Sequence, residues 1–86
     1  MHTEQVNVYD KIVEILRDVA KVPADQIAPE KRIEEDLSID SLAMVEVAVA
    51  AEMRLGVSVP DERAAEFFTV GDIVDFVGAA LAATRG

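Results

Sequence analysis

Cysteine is absent from this chain of 86 residues, and its one histidine is His2. The missing thiols exclude disulfide bonds, thiolate metal sites and a cysteine nucleophile. No apolar run approaches the roughly 20 residues of a membrane span, and the first residues carry neither a basic region nor an apolar signal segment. The length allows a single domain, for which we expect a cytoplasmic location.

Basic residues are also scarce, since 8 lysines and arginines stand against 17 acidic residues and give a formal net charge of −9. Such a charge repels nucleic acid and anionic membranes and favours partners that carry basic patches. The acids could equally serve only to keep a small protein soluble and monomeric. Charge alone leaves both interpretations open.

Apolar residues make up 51% of the chain and predict packed helices. Residues 1–6 are interpreted as a loose tail, and a helical bundle domain is expected over 7–84. A first helix is predicted to end before Pro23. Its apolar positions are Val8, Ile12, Ile15, Leu16 and Val19.

The long connection over 21–40 is charged, yet spaced apolar residues predict that it is pinned across the bundle. Asp25 is a candidate cap for a short helical turn within this connection. The five anchoring residues are Val22, Ile27, Ile33, Leu37 and Ile39.

A second helix is predicted to begin at Asp40 or Ser41, with Asp40 as its N-cap because a carboxylate can accept backbone N–H bonds there. Gly56 stands where the end of this helix favours a residue tolerant of positive φ. Glu46 and Glu52 are expected to face away from the core. The apolar stripe, interpreted mainly as core packing, comprises Leu42, Val45, Val49 and Met53, with Ala48 and Ala51 beside it.

The rest of the chain predicts two more helices. Residues 57–60 are interpreted as an extended connector, and residues 61–68 as a short helix with acids in its first turn. Thr69 and Asp72 resemble a capping box ahead of a last helix. Its apolar face is Val70, Ile73, Val74, Val77 and Leu81. The predicted fold class is all-α: a four-helix bundle of three longer helices and a short third one, with a long loop between helices one and two.

Three kinds of chemistry are excluded around Ser41. A Ser-His-Asp arrangement needs a base near the serine, whereas His2 lies in the predicted tail. A G-x-S-x-G elbow is absent because no glycine lies within ten residues of Ser41. A calcium loop starting at Asp36 would need a bidentate glutamate where Val47 stands. The acids are interpreted as solvated helix faces, so neither catalytic residues nor metal ligands are expected.

The Ser41 hydroxyl has two possible uses. It could satisfy a backbone N–H at the helix start. Because Asp40 is better placed as the cap, however, the Ser41 hydroxyl is left free at the first helical position. A phosphate esterified there would lie near the positive end of the helix dipole, so Ser41 is interpreted as an attachment point.

The segment Asp40-Ser41-Leu42, followed by Val45-Glu46, resembles the attachment motif of acyl carrier proteins. Pro60-Asp61-Glu62 and Thr69-Val70-Gly71-Asp72-Ile73 resemble the family's segments before its third and fourth helices. The resemblance extends over residues 8–81 and implies that Ser41 carries 4′-phosphopantetheine through a phosphodiester. That arm would supply the thiol that the sequence lacks, and acyl groups would be carried on it as thioesters.

The resemblance also implies the partners, namely a phosphopantetheinyl transferase and fatty-acid synthase enzymes with basic docking patches. A monomer is expected to meet them mainly through its second helix. The residues that match this partner-binding surface are Glu35, Asp36, Asp40, Leu42, Met44, Val45, Glu46 and Glu52, with Asp61 and Glu62 close by.

The chain departs from the family at three places. Ser38 stands where the family commonly has glycine, two residues before the motif aspartate. Ala43 replaces an acid that often follows the motif leucine, and Met53-Arg54 lies within what is often an acidic run. We therefore expect a docking face that is less acidic and more apolar than usual, with Met44 as a contact.

The stretch over 39–49 is most similar to fatty-acid carriers of actinobacterial type, some of which serve very long chains. Two alternatives remain open: a carrier of the same fold for polyketide, peptidyl or specialised acyl transfer, and an unmodified acidic helical adaptor. We also hypothesise that small residues on the second helix let the bundle part and shelter an acyl chain. These residues are Ala48, Ala50 and Ala51.

Overall fold

The computed structural model describes the backbone of residues 4–85 and the side chains of residues 8–83. Over that part of the chain it confirms the all-α four-helix bundle. The helices are α1 (Glu4–Val19), α2 (Ser41–Leu55), α3 (Asp61–Ala64) and α4 (Val70–Arg85), with a 3-10 turn at Ala24–Gln26.

The predicted loose tail needs a correction, because α1 already begins at Glu4. Residues 4–6 are therefore helical, and residues 1–3 lie outside the described residues. At the other end of the fold, α3 stops at Ala64 and is shorter than the predicted helix over 61–68. None of the described helices is long and apolar enough to cross a membrane.

The core lies where α1 packs against both α2 and α4, while α3 packs against α2. The predicted apolar faces of α1 and α4 are confirmed: Ile12, Leu16, Val70 and Val77 are fully enclosed, and Val19 is half-buried. Burying an aliphatic side chain of this size stabilises the fold by about 1.5–3 kcal/mol. No charged or polar residue is buried among those described.

The long connection between α1 and α2 is pinned to the bundle as predicted. All five of its anchors are buried: Val22, Ile27, Ile33, Leu37 and Ile39. The Ile33 N–H donates to the Phe68 carbonyl at 2.9 Å, and the Val70 N–H donates to the Lys31 carbonyl at 3.0 Å. The prediction for Asp25 was wrong, because the N-cap of the 3-10 turn is Pro23 and no side chain caps it.

The face that α2 turns to the core differs from the predicted stripe. Leu42, Val49 and Met53 are 70%, 51% and 81% exposed, so they point to solvent. The buried residues of α2 are Met44, Val47, Ala48 and Ala51. These follow the i, i+3, i+4, i+7 spacing of a single helix face, on the side opposite to the predicted one.

The predicted C-terminal glycine of α2 and the predicted capping box before α4 are both confirmed. Gly56 adopts φ 70° and its N–H donates to the Glu52 carbonyl at 2.9 Å. Thr69 Oγ1 accepts the Asp72 N–H at 3.3 Å, while the Asp72 carboxylate accepts the Thr69 N–H at 3.1 Å and the Phe68 N–H at 2.8 Å. These backbone donors hold the pKa of Asp72 below its ordinary value.

Candidate functional site

Ser41 is the first residue of α2, and its hydroxyl is free for chemistry. The preceding Asp40 has an extended backbone, and its Oδ1 accepts the Ala43 N–H at 2.9 Å, which confirms the predicted N-cap. Ser41 is exposed. Its hydroxyl makes no hydrogen bond to any residue that the structure describes, and the Ser41 and Leu42 N–H groups have no acceptor there either.

This arrangement fits a phosphodiester. The first N–H groups of a helix lack partners within the helix and carry a partial positive charge. A phosphate bonded to Ser41 would lie beside two such groups. The Asp40 carboxylate is engaged by the Ala43 N–H, so the helix start is capped without use of the serine.

The turn that leads into α2 depends on a serine in a left-handed conformation. Ser38 has φ 58°, and its N–H donates to the Glu34 carbonyl at 3.1 Å. The next residue, Ile39, donates its N–H to the Ile33 carbonyl at 3.0 Å and buries its side chain. Residues with a Cβ rarely adopt such a φ, whereas glycine does so readily. The backbone here therefore explains why glycine suits this position, which Ser38 occupies at some conformational cost.

Two of the predicted partner-binding acids are tied to a cation of the same loop. The Arg32 guanidinium contacts the carboxylates of both Glu35 and Asp36, with Nη2 to Asp36 Oδ1 at 3.1 Å. The Arg32 N–H also donates to Asp36 Oδ2 at 2.8 Å. These bonds from Arg32 hold the pKa of Asp36 below its ordinary value, and Asp36 raises that of Arg32. Glu35 and Asp36 thus offer less net charge to a partner than their number suggests.

A cleft of about 350 Å³ opens beside Ser41, between the long connection, α2 and α3. Acidic residues at this cleft include Glu35, Asp40 and Asp61. Its apolar lining is Ile33, Ile39, Met44, Val45, Ala64, Ala65, Phe67 and Phe68. The alanines hypothesised to let the bundle part are not among the residues that line it.

The far wall of this cleft is braced by an aromatic contact. The Phe67 ring packs against Phe76 of α4 with their centroids 5.5 Å apart. The Arg63 guanidinium lies 5.0 Å from the centroid of the same Phe76 ring. Edge-tilted aromatic pairs and cation–π contacts each stabilise such an arrangement modestly, so the segment after α3 is held by side chains rather than by a long helix.

The structure exposes most of the predicted partner-binding residues but buries one of them. Met44 is only 6% exposed, so its predicted role as a surface contact was wrong. Its side chain lies on the core face of α2 and reaches the cleft instead. Val45 is half-buried. The exposed members are Glu35, Asp36, Asp40, Leu42, Glu46, Glu52, Asp61 and Glu62.

Two exposed residues of α2 were missed as surface residues. Val49 and Met53 were assigned to the core, although they extend the exposed line that starts at Leu42. The sequence indicated an exposed position at Met53, because the family that the chain resembles often has an acidic run there. Within the described residues, no group of histidines or carboxylates is placed to hold a metal ion.

Comparisons with known proteins agree with this geometry. A family described as "Phosphopantetheine attachment site" matches residues 10–77, which include Ser41. The chain is 40% identical over 77 residues to an acyl carrier protein of Thermobifida fusca, covering 90% of this chain and 98% of that one. It is 47% identical over 66 residues to an acyl carrier protein of Acidothermus cellulolyticus, covering 77% and 79%.

A third relative is the meromycolate extension acyl carrier protein of Mycobacterium leprae, which is 43% identical over 77 residues, 90% of this chain and 67% of that one. By class, then, this is a small helical protein with a phosphopantetheine attachment domain. It belongs to the acyl carrier protein family, whose relatives here come from actinobacteria. Members of this family are carriers and not catalysts, and their cofactor is 4′-phosphopantetheine.

Proposed function

We propose that Ser41 is the residue that carries 4′-phosphopantetheine. The observation that carries this proposal is an exposed hydroxyl without a hydrogen-bond partner among the described residues, at the first position of a helix that is capped by its neighbour. Ser38, the nearest other hydroxyl in the sequence, lies in the turn before the helix and not at its start. Only Ser41 combines exposure with the unpaired N–H groups of the first turn of α2.

The modification requires a phosphopantetheinyl transferase and coenzyme A. The Ser41 hydroxyl would release its proton to the transferase or to solvent, and its oxygen would form a bond to the phosphorus next to the pantetheine. The pyrophosphate bond of coenzyme A would break, and the adenosine bisphosphate would leave with the electron pair of that bond. Once bound, the group supplies a terminal thiol for thioester chemistry. The chain itself orients the attachment point, through the Asp40 cap, and offers the cleft next to it.

We propose that the protein carries growing acyl chains to the enzymes of a dissociated fatty-acid synthase. This assignment is supported by the actinobacterial acyl carrier proteins that it resembles. A specialised role in extending very long chains is the second candidate, and the likeness to a meromycolate extension carrier favours it. Carriers for polyketide or peptidyl transfer share the same attachment chemistry.

Partner enzymes are proposed to dock on the acidic surface near Ser41. Glu46, Glu52, Asp61 and Glu62 are exposed and form no ion pair with described residues. A partner with basic side chains around its active-site entrance would be attracted by them. Glu35 and Asp36 contribute less, because Arg32 already pairs with both.

We also propose that short acyl chains rest in the cleft beside Ser41. This proposal places the acyl chain in the cleft and not among the alanines of α2, since Ala48 and Ala51 are packed in the core. Burying a CH₂ group from water is favourable by about 0.8 kcal/mol. Acyl chains of increasing length should shift the methyl NMR signals of Ile33, Ile39 and Met44. Unchanged signals would contradict this sheltering.

The attachment is tested by intact mass spectrometry after treatment with a phosphopantetheinyl transferase and coenzyme A. The wild-type mass should rise by about 340 Da, the mass of the attached prosthetic group. Ser41→Ala should abolish the gain, and the matched Ser38→Ala should retain it. A wild type that several transferases leave unmodified, or a Ser41→Ala variant that still gains the mass, would contradict the proposal.

A further inference from the structure

The outer face of α2 carries an unusual line of exposed apolar side chains. At 3.6 residues per turn, Leu42, Val49 and Met53 lie within about 40° of one another around the helix. All three are more than half exposed, and Met53 is the most exposed large hydrophobic side chain described, at 81%. Scattered exposed hydrophobic residues are ordinary, but these three share one line of the helix, which we call the strip.

The far end of this strip combines the exposed side chain of Met53 with an ion-paired cluster and one unpaired acid. Arg54, the residue after Met53, donates from Nη1 to Asp18 Oδ2 of α1 at 3.0 Å. Arg17 also contacts Asp18, with Nε 3.3 Å from Oδ1, so Asp18 is paired with two cations. Of the exposed acids of α2, Glu46 lies between Leu42 and Val49, while Glu52 precedes Met53 on the flank of the strip. A partner that covers the whole of α2 therefore meets acids along the helix and, at the far end, the exposed apolar side chain of Met53.

The occupant of the strip is constrained by charge. A second copy of this chain also carries −9, so two strips would meet between like-charged proteins. A basic enzyme surface complements Glu46 and Glu52, whereas only an apolar pocket complements Met53. An enzyme that acts on the Ser41 oxygen must enclose the start of α2, and the strip continues from there for about 18 Å to Met53.

We infer that Met53 is an apolar anchor that sets which partner enzymes this carrier accepts, by inserting into a pocket on an enzyme that acts at Ser41. This inference rests on the proposed attachment at Ser41 and names the chemistry of the partner surface. The partner carries basic side chains near its active-site entrance and an apolar pocket about 18 Å away. The contribution of the Met53 side chain to docking is then largely insensitive to salt, because apolar burial is not screened.

The test uses a phosphopantetheinyl transferase and coenzyme A, with the rate of mass gain measured at about 50 and about 500 mM NaCl. Met53→Gln keeps the length of the side chain but removes its apolar end. It should raise KM for the carrier about tenfold at both salt concentrations, which corresponds to the partial burial of one such side chain. Because Met53 is remote from the hydroxyl, kcat should stay unchanged. Met53→Leu should restore the wild-type KM.

Ala79→Gln is the matched control, since it places the same side chain on an exposed position of α4. It should leave KM unchanged. Circular dichroism on each variant verifies that the helices are intact. A KM for Met53→Gln equal to that of the wild type overturns the inference while the attachment stands. A wild type that gains no mass overturns the attachment and the inference with it.

Discussion

At the scale of single residues, the site depends on two positions before the serine. Asp40 accepts the Ala43 N–H, and Ser38 makes the turn with φ 58°. The first was predictable, because aspartate before an apolar helix start is a common N-cap. The turn at Ser38 was not predictable, because sequence does not reveal φ. Its only sign was that the family commonly has glycine at this position. The prediction that Asp25 caps the 3-10 turn failed because Asp25 lies within that turn and not before it.

The strain at Ser38 predicts a stabilising substitution. Ser38→Gly should raise the free energy of unfolding by about 0.5–1 kcal/mol, because glycine tolerates the left-handed conformation that costs other residues about 1–2 kcal/mol. Urea denaturation of the unmodified protein measures the change. Ser58→Gly is the control, since Ser58 has no positive φ, and it should destabilise slightly. A destabilised Ser38→Gly variant would contradict the argument.

Asp72 predicts a specific dependence of stability on pH. Its pKa is lowered in the folded state by the N–H groups of Phe68 and Thr69. The unfolded state then binds more protons between the folded and unfolded pKa values, so this contribution is present above about pH 4 and is lost as the pH falls below it. Asp72→Asn should therefore be less stable than the wild type at pH 7, and the gap should narrow from about pH 5 to pH 3.

Thermal unfolding followed by circular dichroism across that pH range gives the comparison. Carboxylates elsewhere are present in both proteins and affect both curves. A difference in stability between the two proteins that stays constant from neutral to acidic pH would mean that ionisation of Asp72 does not stabilise the fold.

At the scale of helices, α1 and α4 could be read from the sequence, but the orientation of α2 could not. The apolar residues of α1 alternate with charged ones, so only one face can be buried. In α2, apolar residues lie on almost every side, from Leu42 and Met44 to Val49 and Met53. A pattern of this kind indicates a helix without indicating its buried face. The buried face of α2 is decided by its contacts with α1 and α3, and these contacts depend on the whole fold.

Gly78 in α4 provides a prediction about helix stability. Apart from its chain neighbours and the backbone of its own helix, a Cβ at this position would meet no atom within 4 Å, so packing against other elements does not require glycine. Gly78→Ala should raise the free energy of unfolding by about 1 kcal/mol, through helix propensity alone. Gly56→Ala is the contrasting variant, because Gly56 has φ 70° and a Cβ there is strained. Urea denaturation should show opposite signs for the two variants, and equal signs would contradict this explanation.

At the scale of the molecule, the excess of acids opposes compaction. A chain of charge −9 repels itself when folded, and salt screens that repulsion. Raising NaCl from about 50 to about 500 mM should therefore increase the midpoint of thermal unfolding of the wild type. A lower midpoint at high salt would mean that the exposed ion pairs, such as Asp18 with Arg54, outweigh the repulsion.

The architecture as a whole was accessible from the sequence because its parts agree with one another. The buried anchors of the long connection, the Asp40 cap, the Gly56 terminus and the Thr69–Asp72 box each predict the element that the structure shows. What sequence could not supply was the cleft beside Ser41. Its walls come from three separate segments, and their proximity follows only from the folded chain.

The central claim, that Ser41 is the attachment residue, is tested most directly by tandem mass spectrometry of the transferase-treated protein after digestion with trypsin. Cleavage after Arg32 and Arg54 releases a peptide whose only hydroxyl side chains are Ser38 and Ser41. Fragment ions should place the gain of about 340 Da on Ser41. Fragments that place it on Ser38, or a modified peptide from elsewhere in the chain, would contradict the account.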